Sequence, residues 1–223
     1  MMKRSAAEVV REYGPFAGVT RVNGVTYDGR QVWLASGDKL NALDPASGQM
    51  VGSIDVAAHA GTAFDGRYLY QIAEKVIQKI DPGTKRVLAT IPAPAGGGDS
   101  GLAWAEGTLW VGHHRERKIY QIDPQTGAIL RTIESNRFVT GVSWVEGELW
   151  HATWEGEQSE LRRIDPQTGA VLESLEMPSG ANVSGLESDG GEQFFCGGGG
   201  TGKLRVVRRP KRDALGKGRP ERA

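Results

Sequence analysis

Short apolar strands alternating with polar turns recur along the whole chain, at a spacing too tight for helices. Each unit opens on glycine and an alternating strand: Gly24-Val25-Thr26-Tyr27, Gly61-Thr62-Ala63-Phe64, Gly101-Leu102-Ala103-Trp104, Gly141-Val142-Ser143-Trp144 and Gly185-Leu186-Glu187-Ser188. A turn follows, at Asp28-Gly29, Asp65-Gly66, Glu106-Gly107, Glu146-Gly147 and Gly190-Gly191. An acidic residue and glycine between alternating runs is a strong hairpin signal. The next strand carries an aromatic side chain at one register: Trp33, Tyr70, Trp110, Trp150 and Phe195. A third strand leads into a second kind of turn, and a fourth leaves it, over Met50–Ile54, Val87–Ile91, Ile129–Ile133 and Val171–Leu175.

That second turn sets the period. Ile-Asp-Pro-Gln-Thr-Gly-Ala stands at Ile122–Ala128 and again at Ile164–Ala170, with weaker copies at Leu43–Gly48 and Ile80–Lys85 and an eroded one at Pro210. Its prolines, at 45, 82, 124, 166 and 210, lie 37 to 44 residues apart, a spacing characteristic of propeller blades. Proline presets φ for the first central turn position, the preceding Asp accepts backbone N–H groups, and the glycine closes the hairpin in the left-handed region.

The fifth unit lacks a fourth strand at its C-terminal end. The segment Glu8–Tyr13 matches the fourth-strand pattern of Ala170–Leu175, so the first strand of the chain is expected to complete the last blade and close the ring. Closure removes strand edges that would otherwise invite pairing with other chains. The reading is all-β: a five-bladed β-propeller of four antiparallel strands per blade over residues 1–210, followed by a disordered basic tail over 211–223.

Composition changes this picture only at the margins. Lys+Arg and Asp+Glu both number 27. Seven basic and two acidic residues fall between Arg208 and Ala223, so the body is acidic and offers no broad footprint for nucleic acid. The single cysteine, Cys196, allows no intrachain disulfide. No apolar run approaches the roughly 18 residues of a membrane helix, and the N-terminal residues have no apolar core of the secretory kind. A cytoplasmic protein without a membrane partner is expected.

Topology sorts the loops. The turns joining strands 1–2 and 3–4 share one face and are stereotyped. The 2–3 loops and the connections between blades share the other face, and they are irregular, which is where function gathers on a rigid repeat. His59, His113 and His114 fall there, as do Arg21, Asp99 and Asn182. Of six tryptophans, five occupy repeated strand positions, and only Trp154 lies off pattern, in the long 2–3 loop of blade four. It is read either as a loop anchor or as the apolar wall of a pocket. Glu155 beside it is the first choice for an acid or base, since a carboxyl recessed against an aromatic can be held near neutral pH. His113 is the second catalytic candidate. Trp154, His114, His59, Asp99, Arg21 and Asn182 are the expected ligand contacts. On an extended backbone His113 and His114 point to opposite sides, so one of them should face the axis.

Other chemistry is weaker. No histidine spacing indicates a metal, and spacing cannot show a divalent ion held on the axis by ligands from different blades. No cofactor is indicated. Asp99-Ser100-Gly101 is not a nucleophile elbow. Gly197–Lys203 resembles a phosphate-binding loop in composition but not in spacing. Cys196 reads as a buried thiol.

The blade pattern Gly-apolar-x-aromatic, Asp/Glu-Gly, x-Leu-Trp, Ile-Asp-Pro-x-Thr-Gly resembles two neighbouring kinds of bacterial propeller, over about residues 8–210. One is the glutaminyl cyclotransferase-like group, which is five-bladed; the other is the streptogramin-lyase-like group, which has more blades. The resemblance implies a lyase or a cyclising acyl-transfer enzyme with a small-molecule site at the tunnel mouth. The Phe-Thr-Gln-Gly-Leu and Asn-Glu-Leu-Glu segments of the cyclotransferase-like group do not occur, so no catalytic residue is carried over. The other reading is a non-catalytic propeller that grips a protein partner across its irregular face.

Overall fold

The computed structural model describes residues 2–211, so the stretch from Arg212 onward, and with it nearly all of the expected tail, lies outside the described residues. The repeats form five sheets set around an axis. Blade one comprises Gly24–Tyr27, Val32–Asp44 and Gln49–Ala58; blade two Thr62–Phe64, Leu69–Ala73, Val76–Asp81 and Arg86–Pro92. Blade three comprises Asp99–Ala105, Thr108–His113, Lys118–Ile122 and Ile129–Glu134; blade four Val139–Val145, Glu148–Glu155, Gln158–Ile164 and Val171–Glu176. Blade five comprises Gly185–Ser188, Gln193–Gly197 and Leu204–Arg208. In blade one the second and third strands are a single stretch. Its first half pairs with the inner strand and its second half with the outer one, with Gly37 at φ 61° where the pairing changes.

The N-terminal segment closes the ring as expected, with Val9–Tyr13 running antiparallel to Leu204–Val207. Lys203 and Arg205 pair with Glu12 at 2.6 and 2.9 Å across this seam. One strand was not expected. Lys3–Ala6 lies parallel to Glu173–Glu176, so the first residues cover the outer edge of blade four before crossing to blade five.

The turns follow their chemistry. Glu106 and Gly107 have φ 51° and 77°, and Glu146 and Gly147 have 50° and 77°. Positive φ at both central residues is what a two-residue hairpin with the right strand twist requires. In the Asp-Pro turns, Asp165 Oδ1 accepts the Gln167 and Thr168 N–H groups at 2.8 and 2.9 Å, and Asp123 holds Gln125 and Thr126 in the same way. These carboxylates are spent on turn geometry.

The core is not central. Five apolar clusters form, one at each contact between neighbouring blades. The repeated second-strand aromatics are all buried there. Two of them stack on the inner-strand aromatic of the next blade, Tyr70 on Trp104 at 5.4 Å and Trp110 on Trp144 at 5.6 Å, while Phe195 meets Tyr27 at 5.5 Å and Trp150 meets Phe194 at 4.9 Å with their rings tilted. Such pairs add about 1 kcal/mol to the burial of the rings.

At the axis the repeat glycines meet in a ring. A Cβ on Gly61 would lie 2.5 Å from Leu102 N, one on Gly101 2.6 Å from Val142 N, and one on Gly141 2.6 Å from Leu186 N. One on Gly185 would lie 2.9 Å from Val25 N, and one on Gly24 would strike the Ala60 carbonyl, which completes the circle. The five inner strands thus approach so closely that no side chain fits at this level. The constriction divides the tunnel into two mouths with different linings. Among the described residues no helix is long and apolar enough to cross a membrane.

Candidate functional site at the mouth bearing the 2–3 loops

Immediately on the 2–3-loop side of the glycine ring stand Asn23, Ala60, Ser100, Thr140 and Ser184, one from each blade, and they floor a cavity of about 410 Å³. Three of these side chains staple blades together. Ser100 Oγ donates to the Val139 carbonyl at 2.7 Å, Thr140 Oγ1 to Val183 at 2.7 Å, and Ser184 Oγ to Val22. Ser100 is therefore engaged with backbone carbonyls.

The walls hold Arg21, His59, Asp99, His114 and Trp154. Arg21 and His59 come from the chain entering blades one and two and are exposed. Trp154 is half-buried. It does not lie in a long loop as expected: it belongs to the second strand, paired with Ser159, and only the two-residue turn Gly156-Glu157 separates strands two and three because their pairing continues to Glu155 and Gln158. Its indole N–H donates to Gly156 O at 2.7 Å, which ties it to that turn, while its ring reaches within 3.9 Å of where a Cβ on Gly199 would stand. Trp154 is thus both anchored and a wall. The His114 ring stacks on Phe138 at 4.7 Å, with the Arg117 guanidinium 4.5 Å from the same phenyl ring.

Asp99 is the unusual group. It is 8% exposed, and neither carboxyl oxygen has a hydrogen-bond partner among the described residues. Burial, followed by the nearby Glu116 carboxylate, pushes its pKa up to about 7. Desolvation of this kind disfavours the ionised form. Glu116 itself is held low, chiefly by the hydrogen bond from Tyr120.

The remaining candidates are engaged elsewhere. His113 is buried, with Nδ1 accepting the Glu116 N–H at 3.2 Å, which leaves Nε2 to donate to Gly97 O at 3.0 Å. It organises its loop and does not line the cavity; His114 does. Glu155 accepts the Phe138 N–H at 3.1 Å and pairs with Arg137 at 3.4 Å, so its carboxylate is drawn away from the cavity. Asn182 also stands apart from the cavity lining; its carbonyl accepts from Arg205 at 3.4 Å. Among the described residues no three His, Cys, Asp or Glu side chains converge as a metal site requires. Cys196 is fully buried and its thiol pKa is raised by burial.

Sequence reasoning missed one acidic group altogether. Glu187 lies on the other side of the glycine ring, where the repeat position otherwise carries Thr26, Ala63, Ala103 and Ser143. A carboxylate among small residues was the signal that could have found it.

A ring of five blades around a tunnel defines the class, a five-bladed β-propeller. The crystal structure of Myxococcus xanthus glutaminyl cyclase is similar, with a TM-score of 0.77, 19% identity, and coverage of 93% of this chain and 98% of that one. Kuenenia stuttgartiensis hydrazine synthase is more distantly similar, at a TM-score of 0.52 and 19% identity over 80% of this chain and 55% of that one. No family model and no curated protein sequence matches the chain.

Proposed function

We propose that the mouth bearing the 2–3 loops is a small-molecule site, and that the protein is an enzyme of lyase or cyclising acyl-transfer type in which Asp99 moves the proton. The observation that carries this reading is the buried, unpartnered Asp99 carboxyl at the wall of a 410 Å³ cavity. A carboxyl held near pH 7 can both take and return a proton at neutral pH. Cyclisation of an amino-terminal glutamine needs that pair of steps. The amine attacks the side-chain amide carbonyl, and the proton it loses must reach the departing ammonia. Arg21 can face the developing oxyanion or a substrate carboxylate, and Trp154 supplies an apolar wall. The likeness to a glutaminyl cyclase supports the choice of substrate, and the role assigned to Asp99 rests on its burial.

The second reading, a module that grips a protein across this face, would need exposed apolar side chains there. The large exposed apolar residues, such as Val51, Leu88, Ile129 and Leu130, lie instead on the outer strands.

The test is ammonia release from a glutaminyl dipeptide, with binding followed by calorimetry. Turnover by the wild type, abolished by Asp99→Asn, is expected. Trp154→Ala should weaken binding about tenfold, or about 1.4 kcal/mol, while the melting temperature stays within a few degrees. Wild-type protein that neither binds nor turns over glutaminyl peptides would reject the substrate class. A large loss of stability in the Trp154 variant with unchanged binding would make that residue an anchor alone.

A further inference from the structure

The mouth on the turn-bearing side of the glycine ring is not merely the blank end of the tunnel. A second cavity, of about 330 Å³, opens there, lined by Tyr27, Phe64, Trp104, Trp144 and Glu187 among others. The four aromatics occupy one repeat position, the fourth of the inner strand, in blades one to four, and blade five places Ser188 there. All four are half-buried, so part of each ring faces the opening.

Glu187 is enclosed by protein, yet it lines this cavity and keeps some accessible surface. Its carboxylate accepts Thr26 Oγ1 at 2.9 Å, Ser143 Oγ at 2.8 Å and its neighbour's backbone N–H, that of Ser188, at 2.8 Å. These donors come from blades one, four and five, so the carboxylate is fixed from three sides. Burial still outweighs them and pushes its pKa up to about 7. An inter-blade staple does not require a carboxylate, because at the other mouth hydroxyls and backbone carbonyls do the same work.

We infer that this mouth is a second binding site, for a small organic cation such as an alkylammonium, with Glu187 as its countercharge and the aromatic ring as its wall. A cation over aromatic faces is attracted by their quadrupoles, and more strongly where water is excluded. The same faces repel anions. A hard metal ion fits poorly, because it needs several oxygen ligands and here hydroxyl and amide donors already occupy much of the single carboxylate. The other titratable groups on the cavity are Tyr27, Asp28 and Asp189. Asp28 accepts the Arg30 and Gln31 N–H groups and the Trp33 indole, and Asp189 accepts the Gly191 and Gln193 N–H groups. Held in their turns, they add negative charge at the rim.

The experiment titrates the full chain with tetramethylammonium chloride and follows binding by calorimetry and tryptophan fluorescence. Sodium chloride and tert-butanol serve as ionic and neutral-shape controls. Saturable binding in the range of about 10 mM or tighter is expected, with Glu187→Gln about tenfold weaker and Trp144→Leu several-fold weaker. Trp154→Ala, at the opposite mouth, should leave this affinity unchanged, so the result stands apart from the fate of the proposed enzymatic function. Tetramethylammonium does not titrate, so wild-type affinity should rise about tenfold between roughly pH 5.5 and pH 8.5 as the carboxyl ionises. Asp99 at the other mouth is also raised to about 7, so if the glutamine variant fails to fold the same pH rise must persist in Asp99→Asn, and its loss there would place the cation at the other mouth. Absence of saturable binding, equal affinity in Glu187→Gln, equal retention of tert-butanol, or a flat pH profile would each overturn the site.

Discussion

Replacing Asp99 by Asn should make the protein more stable in base while destroying the proposed proton transfer. The carboxyl moves from 3.8 to about 7 on folding, which at about 1.4 kcal/mol per pH unit costs about 4 kcal/mol once the group is ionised in both states. The sign follows from the raised value. Below pH 4 the acid is protonated folded and unfolded, and no penalty exists. Between about pH 4 and 7 the unfolded chain releases the proton that the folded one keeps, so stability falls, and above pH 7 the loss is constant. The amide of Asp99→Asn escapes this term but buries donors without partners, at about 1–2 kcal/mol. The net gain at pH 8.5 is then about 2–3 kcal/mol, which for a chain of this length raises the melting temperature by about 5–10 °C. Near pH 5 the two terms cancel, and the melts should coincide. Glu187, also raised to about 7, is present in both proteins and drops out of the difference. Thermal melts of the two proteins across this range measure the effect directly. A difference independent of pH, or a variant less stable at pH 8.5, would show that the ionised carboxylate has a favourable partner and that its burial is not the dominant influence.

The axial glycine ring makes Gly101→Ala costly, because the new methyl would meet the Val142 nitrogen and the Gly141 carbonyl carbon at 2.6 and 2.7 Å, and backbone cannot rotate away. A loss of about 3 kcal/mol or more in urea unfolding is expected, and a variant within 1 kcal/mol of wild type would mean the blades have slack at the axis. At the seam, removing residues 2–7 takes away the parallel strand on blade four, whereas removing residues 2–14 also takes Val9–Tyr13 and the buried Tyr13 ring. The longer deletion should cost at least about 4 kcal/mol more than the shorter, and equal melting temperatures would show that the last blade does not depend on its N-terminal strand.

The architecture was legible in the sequence because its determinants are local and repeated. Alternation with period two, acidic-Gly and Asp-Pro turns, and one aromatic per second strand each act within a few residues, and five copies reinforce the count. Even the closure could be read, since Glu8–Tyr13 carries the pattern missing from the other end. The parallel strand Lys3–Ala6 could not. Its side chains are exposed and carry no apolar period, and its pairing satisfies an edge that exists only once blade four has formed.

The site divides the same way. That histidines, Trp154 and Asp99 collect on one face follows from counting strands. Which of them share a cavity depends on ring closure, which brings Arg21, His59, Asp99, His114 and Trp154 together from positions up to 133 residues apart. Loop packing then turned His113 onto Gly97 and drew Glu155 to Arg137, contacts that no spacing encodes. Glu187 sat in plain view as the one charged residue at a repeated small position. Its significance came only from the tertiary structure, because a carboxylate becomes unusual through the water it loses, and that loss is decided by neighbours from blades one and four.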